Sequence, residues 1–381
     1  MRNADVLLAN VGKVADAWQS QRSERQRRRQ LDPDDFRQLQ ALGLPLAAVP
    51  AEFGGLWEST QRSVRPLCEA LRCLARGDPS VALSASMHPG VLAFWRESPP
   101  LQPASTAWEA QKQWVYQTAL DGAWWGTITS ESGSGGDVGK TRAMARPDAA
   151  GYRITGEKHF GSGSGATSYM LTTAVPEGED SPAWFFLDLR DTPWDGSTGV
   201  SLIAAWDGHG MAATNSHSFA FRDFPATRLA WPGSWREVLG GGGTVPMFYT
   251  AVIVGVVDAA MDYARQQMQS AGWLATRAFE KVEWVGAERE AWLLRQAYEG
   301  GLQALERLGR ARDDTALAKA NVALLAESVL TRLCRISGGS AFSRRGPLGF
   351  WFEDVRALGF LRPPWGLGLE ALFDMSAARP A

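Results

Sequence analysis

The spacing of apolar residues divides the chain into three parts. Residues 4–29, and the stretches that follow up to about residue 120, repeat apolar positions three or four residues apart, which predicts helices. From residue 124 to about residue 229, short runs alternate apolar and polar residues and stop at Gly, Pro, Asp or Asn, which predicts strands. Helical spacing returns after residue 244. The pattern therefore predicts helices, then a compact β unit, then a long helical bundle.

Local signals mark where individual helices begin and end. Asp32, followed by Pro33 and two acids, predicts a helix start, because it supplies a cap, a first-turn proline and negative charge at the positive end of the helix dipole. Gly43 predicts the end of that helix. Further helices are predicted over residues 62–76, 79–96, 105–120, 245–269, 273–308 and 314–336. Strands are predicted at residues 169–173, 183–187 and 217–221, in a small barrel or sandwich.

Length and composition indicate more than one packed unit. A chain of 381 residues, 45% of them hydrophobic, is long enough for two or three packed layers. We expect an α+β multidomain fold with a helical domain at residues 1–121, a β domain at residues 122–232 and a helical bundle at residues 233–381. Each part is too small or too one-sided to be an independent enzyme. The site is therefore expected where the β unit meets the helices.

Charge and cysteine content exclude several classes of function. The net charge of -2 gives no field that attracts nucleic acid or an acidic membrane. Cys68, Cys73 and Cys334 are too few for a disulfide framework, and no histidine cluster accompanies them, so we expect no metal site. We find no apolar run of membrane-spanning length and no secretory segment, and the Arg-rich stretch at residues 22–29 predicts a solvated helix. We expect a cytoplasmic protein.

Two segments rich in Gly and Ser are the candidates for a binding site. Residues 127–137 (TITSESGSGGD) leave successive backbone N–H groups bare, and a concave run of such groups binds anions. Residues 156–166 (GEKHFGSGSGA) place an aromatic side chain, Phe160, two residues before a hydroxyl, Ser162. One flat, anionic ligand fits both segments. Ordinary glycine-rich hairpin turns are the alternative explanation.

Four separated motifs resemble those of the flavin-dependent acyl-CoA dehydrogenases, in the same order. Residues 130–137 resemble T-E-P-G-A-G-S-D, and residues 156–163 resemble N-G-x-K-x-W-I-T-N-G. Residues 206–216 (WDGHGMAATNS) are similar to W-x-x-x-G-M-R-x-T-x-S, and residues 335–341 (RISGGSA) are similar to Q-I-x-G-G-x-G. The resemblance covers about residues 30–372. It implies an N-terminal helical domain, a central small β-barrel and a C-terminal four-helix bundle.

The resemblance also implies a flavin cofactor, FAD or alternatively FMN, and it gives roles to residues of the first loop. Thr127, Thr129 and Ser130 fall where the family contacts the pyrimidine edge of the flavin. Gly135 and Gly136 fall on the pyrophosphate loop, where Gly136 replaces a serine. Glycines suit this place because they let the backbone approach phosphates.

Further roles are implied for residues outside that loop. Phe160 stands where a Trp packs against the flavin face, and Ser162 replaces a Thr that bonds near flavin N5. Gly338 and Gly339 match a turn that touches the dinucleotide of a neighbouring subunit, which implies a homodimer or homotetramer. Arg335 replaces a Gln, and its charge is expected to neutralise the pyrophosphate. Replacing Arg335 with Ala should then strip flavin during purification.

The chain departs from the family at the catalytic base. In the family a Glu removes the proton alpha to the thioester carbonyl, and the matching position, counted from Asp354, is Arg362. Some members place the Glu at the start of the first bundle helix, and that position is Val245. A guanidinium cannot abstract a proton at neutral pH, so ordinary α,β-dehydrogenation lacks its base. A family arginine is also missing near residues 272–274.

Three functions remain open at this point. The first, narrowly favoured because the flavin loops are intact, is hydride transfer to flavin N5 from an acyl-CoA or a carrier-bound acyl thioester, with Glu353, Glu370 or His88 as the base. The second is a two-component flavin monooxygenase that uses reduced flavin and oxygen, with His88 and Ser162 acting near the flavin. The third is a non-catalytic flavin-binding or interaction subunit. For His88, a structural position in the core is the alternative explanation.

Overall fold

The computed structural model of the chain describes residues 2–99, 105–234, 236, 242–272 and 276–378. Helices form both ends of the described chain, and the strands lie between them. The helices are α1 (Arg2–Ser20), α2 (Arg22–Arg25), α3 (Pro33–Ala41), α4 (Thr60–Gly77), α5 (Pro79–Arg96), α6 (Thr106–Leu120), α7 (Thr244–Ala271), α8 (Ala278–Leu308), α9 (Arg312–Ser337), α10 (Leu348–Val355), α11 (Ala357–Phe360) and α12 (Trp365–Ala377). The predicted mixed helical and sheet architecture is confirmed.

Helix starts in the first third follow the predicted capping chemistry. The side chain of Asp32 accepts a hydrogen bond from the backbone N–H of Asp34 at 3.0 Å, and Pro33 is the first residue of α3. Asp78 does the same for α5, accepting from the N–H of Val81 at 3.0 Å. The predicted start of one bundle helix at residue 273 lies outside the described residues, and α8 begins at Ala278.

The strands form one sheet whose pairings close on themselves. They are β1 (Trp125–Thr127), β2 (Met144–Asp148), β3 (Gly151–Gly161), β4 (Tyr169–Pro176), β5 (Ala183–Asp188), β6 (Val200–Ala204) and β7 (His217–Arg228). Pairing runs from β4 through β2, β3, β7 and β5 back to β4, while β1 is attached to β4 and β6 to β7. Inward side chains such as Ile154, Phe185 and Phe221 fill the ring and form a core of their own.

Helix α7 corrects one expectation from the sequence. By length and composition it is apolar enough to cross a membrane, whereas we had found no run of spanning length. Most of its apolar window is buried inside the protein, because α7 packs against α4, α5 and α9. A helix surrounded by other helices is apolar on all sides.

Buried polar side chains join the helices to one another and to the β unit. Arg25 pairs with Asp35 at 2.7 Å and with Asp78 at 3.0 Å, and all three side chains are buried. At the other end of the chain, the carboxylate of Asp354 accepts a hydrogen bond at 2.6 Å from the N–H of Met211, in the loop before β7. This contact holds the C-terminal helices against the β unit.

Candidate active site

The two Gly- and Ser-rich segments lie side by side. The N–H of His159 donates to the carbonyl oxygen of Ser130 at 2.8 Å, in an isolated antiparallel bridge. A Cβ at Gly161 would lie 2.9 Å from Ile128 Cδ1, so the second segment packs directly against the first. Gly135 has a φ of 62°, and a Cβ there would meet nothing within 4 Å. The first loop therefore has an open, left-handed turn at Gly135, while the N–H groups of Ser134, Gly136 and Asp137 donate within the loop.

A buried ion pair fixes the first loop. Lys158 is fully buried, and its ammonium donates to the Glu131 carboxylate at 2.6 Å. Glu131 also accepts from the backbone N–H groups of Arg142 at 2.7 Å and Ala143 at 3.2 Å. Burial lowers the pKa of Lys158 to about 8, and the Glu131 charge opposes that shift. Glu131 is thus committed to holding the loop.

Phe160 is an exposed aromatic in a strained conformation. Its side chain is 58% exposed, and its φ of 59° places a non-glycine residue in the left-handed region. Its ring lies 6.0 Å from that of Trp206, edge to face. An exposed aromatic ring and a strained backbone are both unfavourable for folding, and no packing compensates for them here. Residues of this kind cluster at functional sites.

A chain of hydroxyls runs from Ser162 into the protein. Ser162 Oγ lies 2.8 Å from Ser216 Oγ, which lies 2.7 Å from Thr214 Oγ1. Thr214 donates to the carbonyl oxygen of Met211 at 2.9 Å. With that bond made, Ser216 donates to Thr214 and Ser162 donates to Ser216. With the hydroxyls donating in this direction, a lone pair on Ser162 Oγ stays free to accept a hydrogen bond from an N–H group of a ligand.

The turn at residues 361–364 lies over the first loop. Arg362 Nη1 donates to the carbonyl oxygen of Gly136 at 2.5 Å, and its Nη2 lies 3.3 Å from Ser130 Oγ. Lys319 donates to the carbonyl oxygens of Leu361 at 2.8 Å and Pro363 at 2.6 Å. The guanidinium of Arg362 therefore points at the loop, and Lys319 fixes the backbone on both sides of it.

His88 has a structural position that does not suit proton transfer. Its Nδ1 accepts from the N–H of Trp125 at 3.0 Å, and its Nε2 lies 3.2 Å from the carbonyl oxygen of Pro45. An accepting Nδ1 and a donating Nε2 require the neutral ring. Burial lowers the pKa of His88 to about 3, so the ring stays neutral at ordinary pH.

The predicted second half of the cofactor site lies on an exposed surface. Arg335 is 61% exposed, and its Nη1 lies 3.3 Å from Glu283 on α8. Cβ atoms at Gly338 or Gly339 would meet nothing within 4 Å in the chain. None of these three residues contacts the two loops among the described residues, and the expectation that Gly338 and Gly339 touch a neighbouring subunit stays a prediction.

The residues around the two loops fit a flavin. Phe160 offers an exposed ring for stacking, and Ser162 offers a buried oxygen that can accept from a ring N–H. At the open turn, the N–H of Gly135 makes no hydrogen bond among the described residues and can donate to a phosphate, whereas those of Ser134, Gly136 and Asp137 donate within the loop. When bound, a flavin supplies the redox chemistry, which no side chain can supply.

Comparison with known proteins relates the chain to acyl-CoA dehydrogenase-like proteins and nitrososynthases. No family model matches the chain. The acyl-CoA dehydrogenase-like protein YdbM of Bacillus subtilis is 26% identical over 94% of this chain and 92% of its own length. The amino sugar nitrososynthase DnmZ of Streptomyces peucetius is also 26% identical, over 94% of this chain and 89% of its own length. The chain is therefore similar in sequence, over nearly its whole length, to proteins of the acyl-CoA dehydrogenase superfamily.

Solved structures of the superfamily share the fold of this chain. KijD3, solved with FMN and a dTDP-amino sugar, is 23% identical with a TM-score of 0.82, and the match covers 100% of this chain and 95% of KijD3. Butyryl-CoA dehydrogenase of Megasphaera elsdenii is 18% identical with a TM-score of 0.81, over 99% of this chain and 98% of its own. The fold is therefore shared by relatives with different chemistry.

This chain has no carboxylate at either place where the resemblance to acyl-CoA dehydrogenases predicts the base. Arg362 lies at the first, with its guanidinium against the first loop. Val245, at the second, is on the first turn of α7, where its Cγ1 would lie 3.5 Å from a Cβ at Gly90. Of the other candidates, Glu353 pairs with Arg356 at 2.8 Å, and Glu370 is exposed on α12.

Several residues of this site were not singled out from the sequence. Lys319 is a lysine among the buried, mostly apolar residues of α9. A charged residue at such a position could have indicated a buried contact from the sequence. Tyr249 lies in the almost wholly apolar α7 and gave no signal. Pro364 packs against Gly136, and Ser216 completes the hydroxyl chain. These contacts join positions far apart in the sequence, so local patterns do not show them.

Proposed function

We propose that the chain is a flavin-dependent monooxygenase that takes up reduced flavin and uses oxygen to oxidise a small molecule. The observation that carries the proposal is Arg362, a cation directed at the flavin loop where a dehydrogenase needs a carboxylate base. The coarser prediction of a flavin-dependent oxidoreductase is confirmed by the relatives. Dehydrogenation, our first choice from the sequence, takes second place because the candidate bases lie elsewhere.

The hydroxyl chain supports the use of reduced flavin. With Thr214 donating to the Met211 carbonyl, the lone pair left on Ser162 Oγ accepts from an N–H group. A reduced flavin carries such a group at N5, and an oxidised flavin does not. In the opposite polarity Thr214 gives up its bond to Met211, whose carbonyl still accepts from the Trp206 indole at 2.9 Å. The three hydroxyls can therefore pair with flavin N5 in either redox state. The hydrogen bond from Thr214 to Met211 favours the polarity that suits reduced flavin.

The first loop favours FMN over FAD within the two cofactors that we predicted. Gly136 lacks the hydroxyl that the family directs to the pyrophosphate, and Pro364 fills the space where that side chain would be. FMN ends in one phosphate. Bound at the open turn of Gly135, that phosphate needs neither the serine hydroxyl nor the space that Pro364 fills. KijD3 and a dibenzothiophene monooxygenase of Paenibacillus, TdsC, are solved neighbours with FMN.

We propose that the substrate is a small molecule oxidised at nitrogen or sulfur. Relatives by sequence include amino sugar nitrososynthases and dibenzothiophene monooxygenases of Rhodococcus erythropolis. The test is oxygen consumption by the purified chain with photoreduced FMN and either a dTDP-amino sugar or dibenzothiophene. Oxygenated product supports the proposal. Quantitative recovery of both substrates, with flavin bound, contradicts this substrate class.

We also propose that the protein works as a homodimer or homotetramer. The outer face of α8 and α9 exposes large apolar side chains, among them Val282 at 70% and Leu324 at 58%. An apolar patch of this kind is typical of an interface. Gly338 and Gly339 follow α9 directly, and the open space around them supports a contact with a neighbouring subunit. Light scattering should report a dimer or larger, and Val282→Lys should shift it toward monomer.

A further inference from the structure

Buried cations in this protein are paired with carboxylates almost everywhere. Arg25 is buried against Asp35 and Asp78, and Lys158 is buried against Glu131. The side chain of Arg96, 6% exposed, lies 3.1 Å from Glu97. The pairing has a physical reason, since a buried charge without a counter-ion costs several kcal/mol.

Arg362 and Lys319 are exceptions, and they meet at the same turn. Lys319 is 6% exposed, and its ammonium bonds only to the carbonyls of Leu361 and Pro363 among the described residues. Arg362 is partly buried and bonds only to Gly136 and Ser130 in that part of the chain. Neither cation has a carboxylate within 4 Å there, and burial lowers the pKa of both groups.

The local geometry leaves donors free for a ligand. Arg362 has five N–H donors, and its two hydrogen bonds go to neutral oxygens. Lys319 takes up the two carbonyls beside Arg362, whose negative ends would otherwise repel an anion. Tyr249 lies close enough to feel the charge of Arg362, and its buried phenol makes no hydrogen bond among the described residues. The phenol is a further donor.

We propose that Arg362, Lys319 and Tyr249 form an oxyanion site that binds a phosphate or carboxylate group beside the first glycine-rich loop. Asp137 interacts with the charge of Arg362 only from beyond 4 Å, so an oxyanion supplies the counter-charge that is missing at contact distance. The planar guanidinium matches two of its oxygens. Two sources have this chemistry: the terminal phosphate of the flavin and an acidic group of the substrate. The assignment of these sources rests on the proposed function, whereas the anion site itself does not.

The test compares four forms of the full-length protein. They are wild type, Arg362→Gln, Arg362→Lys and, as a matched control, Arg356→Gln, which removes an exposed arginine paired with Glu353. Dissociation constants for FMN and riboflavin are measured by flavin fluorescence. Binding of benzoate and of neutral benzamide to the flavin-loaded protein is measured by difference spectra. Thermal midpoints check that each variant is folded.

Two results support the site and separate its sources. If it binds the flavin phosphate, wild type prefers FMN over riboflavin by about 10- to 100-fold, and Arg362→Gln removes the preference. If it binds the substrate, the FMN preference is unchanged, while benzoate binding falls about 10- to 100-fold in Arg362→Gln and benzamide stays weak. In either case Arg362→Lys retains part of the effect, and Arg356→Gln behaves as wild type.

The site is overturned if Arg362→Gln changes neither the FMN preference nor benzoate binding. A protein that binds no flavin contradicts the proposed function without deciding this point. Inorganic phosphate is then titrated against the flavin-free protein. A rise in the thermal midpoint of wild type that is absent in Arg362→Gln supports the site, and equal behaviour of the two overturns it.

Discussion

Pro364 packs against Gly136 so closely that a Cβ at Gly136 would lie 2.8 Å from Pro364 Cγ. Gly136 also has a φ of 83°, which L side chains rarely adopt. The serine found here in the family therefore does not fit this chain. We predict that Gly136→Ser lowers the free energy of unfolding by about 2–4 kcal/mol, from overpacking and left-handed strain together.

The control for this prediction is Gly135→Ser. Gly135 has a similar φ of 62°, but a Cβ there meets nothing within 4 Å. It should cost only the left-handed strain, about 1–2 kcal/mol. Equal loss of stability in the two variants, measured by urea unfolding, would show that the Pro364 contact does not constrain Gly136.

Phe160 is predicted to lower the stability of the flavin-free protein and to strengthen flavin binding. Its φ of 59° is strained, and its ring, 58% exposed, gains little from packing. We predict that Phe160→Gly raises the free energy of unfolding of the flavin-free protein by up to about 1 kcal/mol, because glycine adopts this conformation without strain. The same variant should bind FMN more weakly. Weaker folding with unchanged FMN affinity would show that Phe160 is a packing residue.

Asp354 should make the protein less stable as the pH rises through weakly acidic values. Burial raises its pKa from 3.8 to about 7. Between these values the folded state binds more protons than the unfolded state, so stability is fully present below pH 3.8 and is lost toward pH 7. Asp354→Asn keeps an acceptor for Met211 and should flatten this decline. Parallel pH profiles of wild type and variant would contradict the shift.

His88 should act in the opposite direction. Burial lowers its pKa from 6.5 to about 3, so stability is lost as the pH falls through this window, where only the unfolded state is protonated. His88→Phe should remove that acid-linked loss, yet cost about 2–5 kcal/mol near neutral pH by leaving the buried N–H of Trp125 and carbonyl of Pro45 unpaired. His209→Ala, at an exposed position, is the control. A stable His88→Phe protein would argue against the structural role.

Local features of the fold, such as helix starts and strands, could be predicted from the sequence. Contacts between residues far apart in the chain could not. Asp32 and Asp78 start helices through local hydrogen bonds, so residue order alone predicts α3 and supports α5. The alternating residues of β3 and β7 likewise predict strands. Local order cannot show that Lys319 reaches the turn at residues 361–364, because that contact depends on how two helical segments pack.

The same limit applies to the roles of single residues. His88 had two interpretations in the sequence, and only its contacts with Trp125 and Pro45 favour the structural one. The sequence showed, from the position of Arg362 relative to Asp354, that an arginine replaces the catalytic Glu. That its guanidinium contacts the first glycine-rich loop, instead of turning to solvent, follows from the fold. A local sequence pattern identifies a residue type at a position, and packing determines what that residue faces.

Our main inference is that this chain has the cation of Arg362 at the place of the proton-abstracting carboxylate of acyl-CoA dehydrogenases. Its most direct test is anaerobic mixing of the flavin-loaded protein with short-, medium- and long-chain acyl-CoAs, followed through the visible absorbance of oxidised flavin. We predict no loss of that absorbance with any of them. Bleaching by any acyl-CoA at a catalytic rate would contradict it.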